Sequence, residues 1–463
     1  MRFMRGWTPL LVFVAACGFP RPADVVACTP GEFSECRGDA ELTCNANGAG
    51  YDAVQCARGC DANIGCRLCD ANQTVCTNGK VQTCDAAGAI TSSESCPLGC
   101  FEDQPRCREI DPSNGLGKYL DMVADPPDLN LTDARVDTQS GEVRNGGATG
   151  PIVTVPNFAV QEVPGGAAIR VFVARTVRIS GGLVVTVSSR ILYGGPAIAI
   201  VARGDITILG SLIVSSSAGG VTGPDACLGG FGKTSGVQDP NTGDTVGALA
   251  TGGGGGGHAT DGAEGGNLTF ASSPPLQGGI KGGAAGNADL VPLRGGCPGG
   301  FGLDLEQRQV EPHGGPGGGA IQLSSRTSIH VDDAISVVGH DGDFERFDQL
   351  GLAVSGGGAG GGILVEAPYV EFGPAARLLA TGGNGGSCQG ESAVCASGGA
   401  GATAGRSANP GNDAMGSSGP VVTSGGGGGG LGRIRVNTVD GHYTKSNSAI
   451  EDASVSTGVL ATR

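Results

Sequence analysis

The sequence predicts an all-β protein in which two small disulfide-rich modules precede a solenoid of stacked β-coils with long glycine-rich loops. Three observations predict this fold class: a duplicated pattern of six cysteines, a three-strand hydrophobic pattern that recurs in the second half, and 89 glycines in 463 residues. Glycine is far above its usual share of about 7%. Because the glycines follow no strict Gly-X-Y period, a collagen helix is excluded.

Residues 1–16 predict an export signal, with two arginines before an apolar run too short for a bilayer, which needs about 20 residues. The run ends in Val-Ala-Ala-Cys at 14–17, which resembles the lipobox of bacterial lipoproteins, although that family usually has Leu where this chain has Val. The resemblance implies lipid on Cys17 as the new N-terminus, a lipidated tether over 17–27, and a membrane partner reached through that lipid. Gly18 stands where the family's inner-membrane retention signal is usually Asp, which favours the outer membrane or cell surface. The alternative is an ordinary secretory signal with an incidental cysteine.

The formal net charge of −15 argues against nucleic acid as a partner, because an acidic chain repels a phosphate backbone. We expect no cofactor. Gly-x-Gly-x-x-Gly strings occur, but a chain this rich in glycine contains them by chance, and no helix or Lys follows to bind phosphate. The single tryptophan, Trp7, lies inside the signal.

The cysteines between positions 28 and 107 form two copies of one module. Successive intervals are 8, 8, 12, 4 and 6 residues over 28–66, and 7, 8, 12, 4 and 7 over 69–107. This pattern indicates a tandem duplication. Each module has too few large apolar side chains to fold on a core, so we expect three disulfides in each, with a connectivity that the sequence leaves open. The cysteines predicted to form disulfides are Cys28, Cys36, Cys44, Cys56, Cys60, Cys66, Cys69, Cys76, Cys84, Cys96, Cys100, Cys107, Cys227, Cys297, Cys388 and Cys395.

Two alternatives remain open for these cysteines. Cys66 and Cys69 form a Cys-x-x-Cys pair that would suit zinc, although the pair spans the junction of two repeats and an exported chain meets an oxidising environment. The last four cysteines of the chain are expected to form two disulfides, each within one glycine-rich loop. Cys227 would pair with Cys297, and Cys388 with Cys395. Free thiols are the alternative.

Residues 108–150 are polar and predict a linker or cap, and 151–463 the glycine-rich β-domain. Four segments align there: 168–187, 197–217, 320–339 and 362–382. In the first three, the second strand begins eight residues after the first and the third begins six after the second; the fourth is one residue shorter, and a weaker fifth copy starts at Ile434. The predicted inward residues of the first strand are Ile169, Val171 and Val173 in the first segment, and Ile198, Ile200 and Ala202 in the second.

Period-two alternation predicts strands with one face inward, and three such strands repeated in register predict coils that stack, because no coil buries its apolar edges alone. Over about 151–463 this organisation resembles the right-handed parallel β-helix of the pectate-lyase type, as architecture and not as motif identity. A β-sandwich is the alternative. It would explain the alternation but not the repeated spacing.

One constellation resembles fragments of the polygalacturonase signature, a β-helical glycosidase family. It consists of Asp332, Asp333, His340, Arg433 and Arg435. Paired carboxylates would serve as acid and base in sugar hydrolysis, with a basic group for an acidic sugar. The family's Asn-Thr-Asp element is missing, and the Asp pair and the histidine lie on one coil instead of successive coils. The alternative is that the two aspartates form a turn and the arginines face outward.

An acidic cluster around Asp341 and Asp343 offers oxygen ligands for Ca²⁺. It lacks the Gly-Gly-x-Gly-x-Asp repeat of calcium-binding solenoids, so a solvated loop without metal is the alternative. No His-x-x-x-His pattern occurs.

Together, the lipobox, the paired modules and the glycine-rich solenoid resemble cell-surface lipoproteins of myxobacteria-type bacteria. The resulting hypothesis is a non-enzymatic, lipid-anchored surface protein with an adhesion or envelope-structural role, whose partners are envelope polysaccharide or a surface protein. Two alternatives stay open: a polysaccharide-processing β-helix enzyme, and a protein-binding or protease-inhibitor role of the cysteine modules.

Overall fold

The protein is nearly all β, with one short helix among the residues that the structure describes. The structure is a computed structural model and describes residues 28–161, 168–187, 195–216, 229, 234–238, 245–269, 275–301, 314–347, 351–387, 394–415 and 421–463. The chain divides into two compact units, unit 1 (Met1–Arg108) and unit 2 (Glu109–Arg463). No helix in these ranges is both long and apolar enough to cross a membrane.

Unit 1 contains two similar disulfide-bonded modules, each built on a three-stranded antiparallel sheet. Its strands are β1 (Phe33–Arg37), β2 (Ala40–Cys44), β3 (Tyr51–Gln55), β4 (Cys60–Asp61), β5 (Gly65–Cys66), β6 (Thr74–Thr77), β7 (Lys80–Cys84) and β8 (Ile90–Ser95). In both modules the first cysteine pairs with the third, the second with the fifth, and the fourth with the sixth. The pairs are Cys28–Cys44, Cys36–Cys60, Cys56–Cys66, Cys69–Cys84, Cys76–Cys100 and Cys96–Cys107.

The predicted disulfide-rich character of this region is therefore confirmed, and the pairing repeats with the sequence. Cys66 and Cys69 are bonded to different partners, Cys56 and Cys84. Neither keeps a free thiolate, so the Cys-x-x-Cys pair is not a zinc site in this structure.

Unit 2 begins with the segment that the sequence predicted as a linker or cap. Its elements are α1 (Gly117–Met122), β9 (Leu129–Leu131), β10 (Ala134–Asp137), β11 (Val143–Arg144), β12 (Ile152–Val153) and β13 (Asn157–Gln161). Both β9 and β10 pair in parallel with later strands, while β11 and β12 turn back antiparallel at the sheet edge. Four residues of this segment belong to the hydrophobic core: Leu129, Leu131, Ala134 and Val136.

The rest of unit 2 repeats three short strands. The elements are β14 (Ile169–Ala174), β15 (Val177–Ile179), β16 (Leu183–Thr186), β17 (Ala197–Ala202), β18 (Ile206–Ile208), β19 (Leu212–Val214), β20 (Thr234–Gln238), β21 (Thr245–Ala250), β22 (Leu268–Thr269), β23 (Ala320–Ser325), β24 (Ser328–Val331), β25 (Ala334–Ser336), β26 (Phe344–Phe347), β27 (Gly351–Val354), β28 (Gly362–Glu366), β29 (Tyr369–Phe372), β30 (Arg377–Leu379), β31 (Val394–Cys395), β32 (Ala414–Met415), β33 (Val421–Thr423), β34 (Arg433–Thr438), β35 (Thr444–Lys445), β36 (Ile450–Asp452) and β37 (Ser454–Val459).

Three sheets collect one strand from each repeat. Sheet A has the order β13-β14-β17-β23-β28-β34-β37, sheet B the order β35-β29-β24-β18-β15-β9, and sheet C the order β12-β11-β10-β16-β19-β25-β30-β36. Equivalent strands of successive repeats pair in parallel. One continuous core of buried aliphatic side chains lies among the three sheets. We call this part of unit 2 the sheet stack.

The register of the first repeat differs from the prediction at one strand. Strand β14 aligns Phe172, and not Val171, with the inward Ile200 of β17. Phe172 belongs to the core cluster, whereas Val171 and Val173 are buried on the opposite face. Every residue of β14 and β17 is buried. Where both faces of a parallel strand are covered, hydrophobic alternation no longer marks the inward face.

The last repeat closes the core with charged residues. Position 378 is a buried leucine, but its partner on β36 is Glu451; position 372 is a buried phenylalanine, but its partner on β35 is Lys445. The two charged side chains form an ion pair, and Glu451 also accepts a hydrogen bond from the Tyr443 hydroxyl. Inward-pointing charge opposes the pairing of a further strand at this end of the sheets.

The glycine tracts form a second packed region, which we call the glycine lattice. Its segments are 252–266, 278–283, 296–300, 314–319, 337–343, 355–362, 380–387, 397–402, 409–413 and 424–432. Most of these residues are buried, and their backbones bond mainly to other segments of the lattice. Segment 252–266 doubles back on itself, and there the amides of Gly255 and His258 donate to the carbonyls of Ala263 and Thr260. The tracts are thus a core of their own and not exposed loops.

Segment 425–430 shows how the lattice is bonded. Amides three residues apart donate to the same neighbour: the first and fourth to 409–412, the second and fifth to 383–386, the third and sixth to 253–256. A period of three without internal hydrogen bonds is the geometry of a polyproline II helix. A Cβ on any of these six glycines would lie 1.9–2.3 Å from a backbone oxygen of another segment. None of the six has a positive φ, so glycine serves here for close approach and not for a left-handed turn.

Candidate functional site

The structure spreads the predicted catalytic constellation over separate places. Asp332 and Asp333 form the turn between β24 and β25, where the first accepts a hydrogen bond from the Ala375 amide at 3.2 Å and the second from the Ala334 amide at 2.6 Å. These carboxylates therefore accept hydrogen bonds from the backbone of turns, in agreement with the alternative that the two aspartates form a turn.

The basic members of that constellation lie elsewhere. His340 has an exposed side chain, and its backbone belongs to the glycine lattice. On β34, Arg433 reaches the carbonyls of residues 285 and 286 at 3.4 Å, and Arg435 donates to Asn437 at 2.8 Å. Among the described residues, no hydrogen bond or ion pair joins any two members of the constellation.

The predicted calcium ligands are also used internally. Asp341 accepts from the Asn384 amide at 2.7 Å, and Asp343 from the Phe344 amide at 2.8 Å. In the described part of the chain, the grouping of three metal-ligand atoms is Glu41 with two cysteines that form a disulfide with each other. Asp341 and Asp343 belong to no such grouping there.

Several cysteines predicted to carry lipid or to form disulfides lie outside the residues that the structure describes. Cys17, Cys227 and Cys388 lie outside the described residues, as does the side chain of Cys395. Cys297 is described and is disulfide-bonded.

An open cleft of about 210 Å³ lies on the outer face of sheet C, at the edge formed by β10, β11 and β16. Side chains that alternate with buried valines line it. The lining residues are Arg135, Asp137, Glu142, Arg144, Ala148 and Thr186. The cleft therefore brings two guanidinium groups, two carboxylates and a hydroxyl to one surface.

The hairpin of β10 and β11 places the two arginines side by side. Arg135 and Arg144 are direct register partners. Arg144 forms an ion pair with Glu142 and donates to the Gly150 carbonyl at 3.3 Å. Arg135 donates from Nε to the Thr186 hydroxyl at 3.2 Å. This bond orients the guanidinium of Arg135 while its two terminal nitrogens have no hydrogen-bond partner among the described residues.

A buried arginine supports the turn that closes the cleft. Arg170, on β14, donates to the carbonyls of Thr138 at 2.9 Å and Gln139 at 2.5 Å. Burial lowers the pKa of Arg170, and the nearby charge of Asp137 partly opposes that shift. Asp137 accepts from the Gln139 amide at 2.9 Å. Arg170 thus binds the carbonyls of this turn, and the Asp137 carboxylate binds one of its amides.

The cleft is not among the predicted sites, although the sequence carries a signal for it. Arg135-Val136-Asp137 and Glu142-Val143-Arg144 are charged triplets in mirrored order around a polar turn. Such an order predicts a hairpin with both valines inward and all four charges on one face.

Comparisons with protein-family models, with curated proteins and with solved structures found no match for this chain.

Proposed function

We propose that this chain is an exported surface protein without enzymatic activity, held on the outer membrane by lipid on Cys17, with an adhesion or envelope-structural role. Unit 2 acts as a rigid right-handed parallel β-helix that displays its outer faces. The observation that carries this proposal is the double construction of unit 2, in which a sheet stack and a glycine lattice are both buried and extensively hydrogen-bonded. A domain with two buried and hydrogen-bonded regions is rigid, which suits the display of a surface better than a catalytic cycle that requires movement.

The disulfides support export. At least twelve cysteines of unit 1 are joined in six disulfides, which persist in oxidising compartments and are rare in the cytosol. The candidate catalytic carboxylates support a non-enzymatic role, because backbone amides of turns occupy Asp332 and Asp333.

Lipid anchoring is tested by labelling cells with a radioactive or alkyne-tagged fatty acid. The native chain is expected to carry the label and to fractionate with the outer membrane, whereas Cys17→Ser removes the label and releases the chain. Protease added to intact cells is expected to reach it. A native chain that takes no label and stays soluble overturns the anchoring part of the proposal.

The non-enzymatic role is tested with the purified chain and a panel of acidic and neutral polysaccharides. The expected result is binding without new chain ends. New reducing or unsaturated ends that disappear in Asp332→Ala would establish an enzyme and overturn the proposal. The matched control is Asp205→Ala, which also removes a turn carboxylate of the sheet stack, one that accepts hydrogen bonds from Thr327 and Ser328.

A further inference from the structure

We propose that the cleft on sheet C binds the carboxylate of one uronic-acid unit in an acidic polysaccharide. This inference rests on the proposed adhesion function and names its ligand class. The cleft volume of about 210 Å³ is below the roughly 300 Å³ of the smallest common drug-sized pockets, so it suits one sugar unit of a chain that continues on either side.

The paired arginines supply the anion site. Like charges on directly opposite residues of an antiparallel pair destabilise the pairing, so the Arg135–Arg144 pair requires compensation. Glu142 compensates Arg144. For Arg135, the hydrogen-bond partner among the described residues is the neutral Thr186 hydroxyl. A ligand carboxylate bound by the planar fork of Arg135 would give it a bidentate partner.

The other lining groups favour a sugar acid over a phosphate. The carboxylates of Asp137 and Glu142 border the same cleft. They would repel a dianion more strongly than a singly charged carboxylate, and they would accept hydrogen bonds from sugar hydroxyls. A singly charged carboxylate with hydroxyls on adjacent carbons satisfies both the arginines and the acids. Thr186 adds a hydroxyl on the neighbouring strand.

A two-residue apolar strip adjoins the cleft on sheet C. Val184 is the register partner of Arg135, and Ile213 is the partner of Val184. Their exposed fractions are 39% and 45%. The carbon–hydrogen face of a sugar ring would cover this strip, and its removal from water adds to the affinity.

The test is calorimetric titration of the full chain, purified in detergent, with oligogalacturonate and with neutral oligogalactose of the same length. We expect binding of the acidic oligomer only, weakened by salt. Arg135→Ala is expected to lower the affinity at least about tenfold, since a hydrogen-bonded charge is lost. Arg135→Lys is expected to recover only part of the affinity, because Lys lacks the planar fork.

The matched control is Arg178→Ala, which removes an exposed arginine from β15 on sheet B and leaves the affinity within about twofold. Equal binding of the neutral oligomer, undiminished binding by Arg135→Ala, or displacement by inorganic phosphate at equal concentration would each overturn the proposal. Failure here with a labelled, surface-exposed chain leaves the proposed function standing. If the chain binds uronate but is not exposed on cells, the ligand proposal stands and the proposed surface function fails.

Discussion

The sheet stack and the glycine lattice bury backbone in opposite ways. In the stack, large side chains such as Phe372 fill the space among three sheets, and each strand bonds to the strands above and below it. In the all-glycine part of the lattice, contacts between backbones replace side-chain packing. Segment 425–430 is surrounded by other extended segments at distances that exclude even a Cβ, and its amides donate to three of them.

The difference shows that hydrogen-bonded close packing does not require hydrophobic side chains. Glycine loses more conformational entropy on folding than any other residue. The lattice offsets that loss with dense backbone hydrogen bonding and with dispersion contacts between backbones. Alanine, the smallest substitution available to both regions, should therefore destabilise both for opposite reasons: a cavity in the stack and a clash in the lattice.

The largest expected effect is in the stack. Phe372 is fully buried and packs edge-on against Tyr443, with ring centroids 5.1 Å apart. Phe372→Ala is expected to lower the free energy of unfolding by about 3–5 kcal/mol, since it removes a buried ring and leaves a cavity. Chemical denaturation followed by far-UV circular dichroism measures the change. Tyr369→Ala, on the same strand but 62% exposed, is the control and should change stability by less than about 0.5 kcal/mol. Equal effects of the two variants would contradict the assigned faces of β29.

The next effect is in the lattice. A Cβ on Gly429 would lie 1.9 Å from the Gly358 carbonyl oxygen, and its three nearest atoms would all be backbone atoms, with no flexible side chain among them. Gly429→Ala is expected to cost about 3 kcal/mol, at the upper end of overpacking substitutions.

Gly405 provides the matched control for that substitution. It lies in an exposed turn beside the lattice, it has no positive φ, and a Cβ added to it would have no other atom within 4 Å. Gly405→Ala is therefore expected to leave stability unchanged or to raise it by about 0.5 kcal/mol through the unfolded state. Thermal melts of the two variants decide the matter, and a Gly429→Ala protein as stable as Gly405→Ala would show that the lattice yields without cost.

This contrast also explains what the sequence could predict. The sheet stack follows from alternation and from the spacing of eight and six residues, which reproduce β17–β19, β23–β25 and their pairing. The lattice does not follow, because a run of glycines has no periodicity and each segment bonds to neighbours distant in sequence. The predicted register of β14 is wrong by one residue for a related reason. Val171 and Phe172 are both buried, so the polarity of the residues does not indicate which face of the strand is inward.

The candidate cleft was missed for another reason. Its residues, such as Arg135 and Glu142, lie in the segment whose polar composition predicted a linker or cap. Polar residues that alternate with single valines make short edge strands as readily as loops. Only the pairing of β10 with β16 shows which occurs here.

A smaller effect is expected where the stack ends. Glu451 accepts from the Lys445 ammonium and the Tyr443 hydroxyl, and its side chain is only 8% exposed. Glu451→Ala leaves both donors without this acceptor and is expected to cost about 1–2 kcal/mol, because the half-exposed lysine regains water. Glu371→Ala, at an outward position of sheet B, is the control. If the two variants differ by less than the error of denaturant titration, Lys445 and Glu451 do not close the core.

The smallest effect at neutral pH concerns a titratable group inside the lattice. His258 is fully buried, its Nδ1 lies 3.0 Å from the Gly360 carbonyl oxygen, and burial, with Arg433 and Arg294 nearby, lowers its pKa to about 3. The folded protein keeps this ring neutral between about pH 6.5 and pH 3, whereas the unfolded chain protonates it. Stability from this group is therefore complete above about pH 6.5 and falls as pH decreases, by about 1 kcal/mol per pH unit.

His258→Asn retains a donor for the carbonyl but does not titrate. Its unfolding free energy should show a shallower acid slope than that of the native chain, when both are measured from about pH 7 to about pH 4. Parallel slopes would mean that His258 is protonated in the fold, and that the lattice admits a charge where its backbone packing should exclude one.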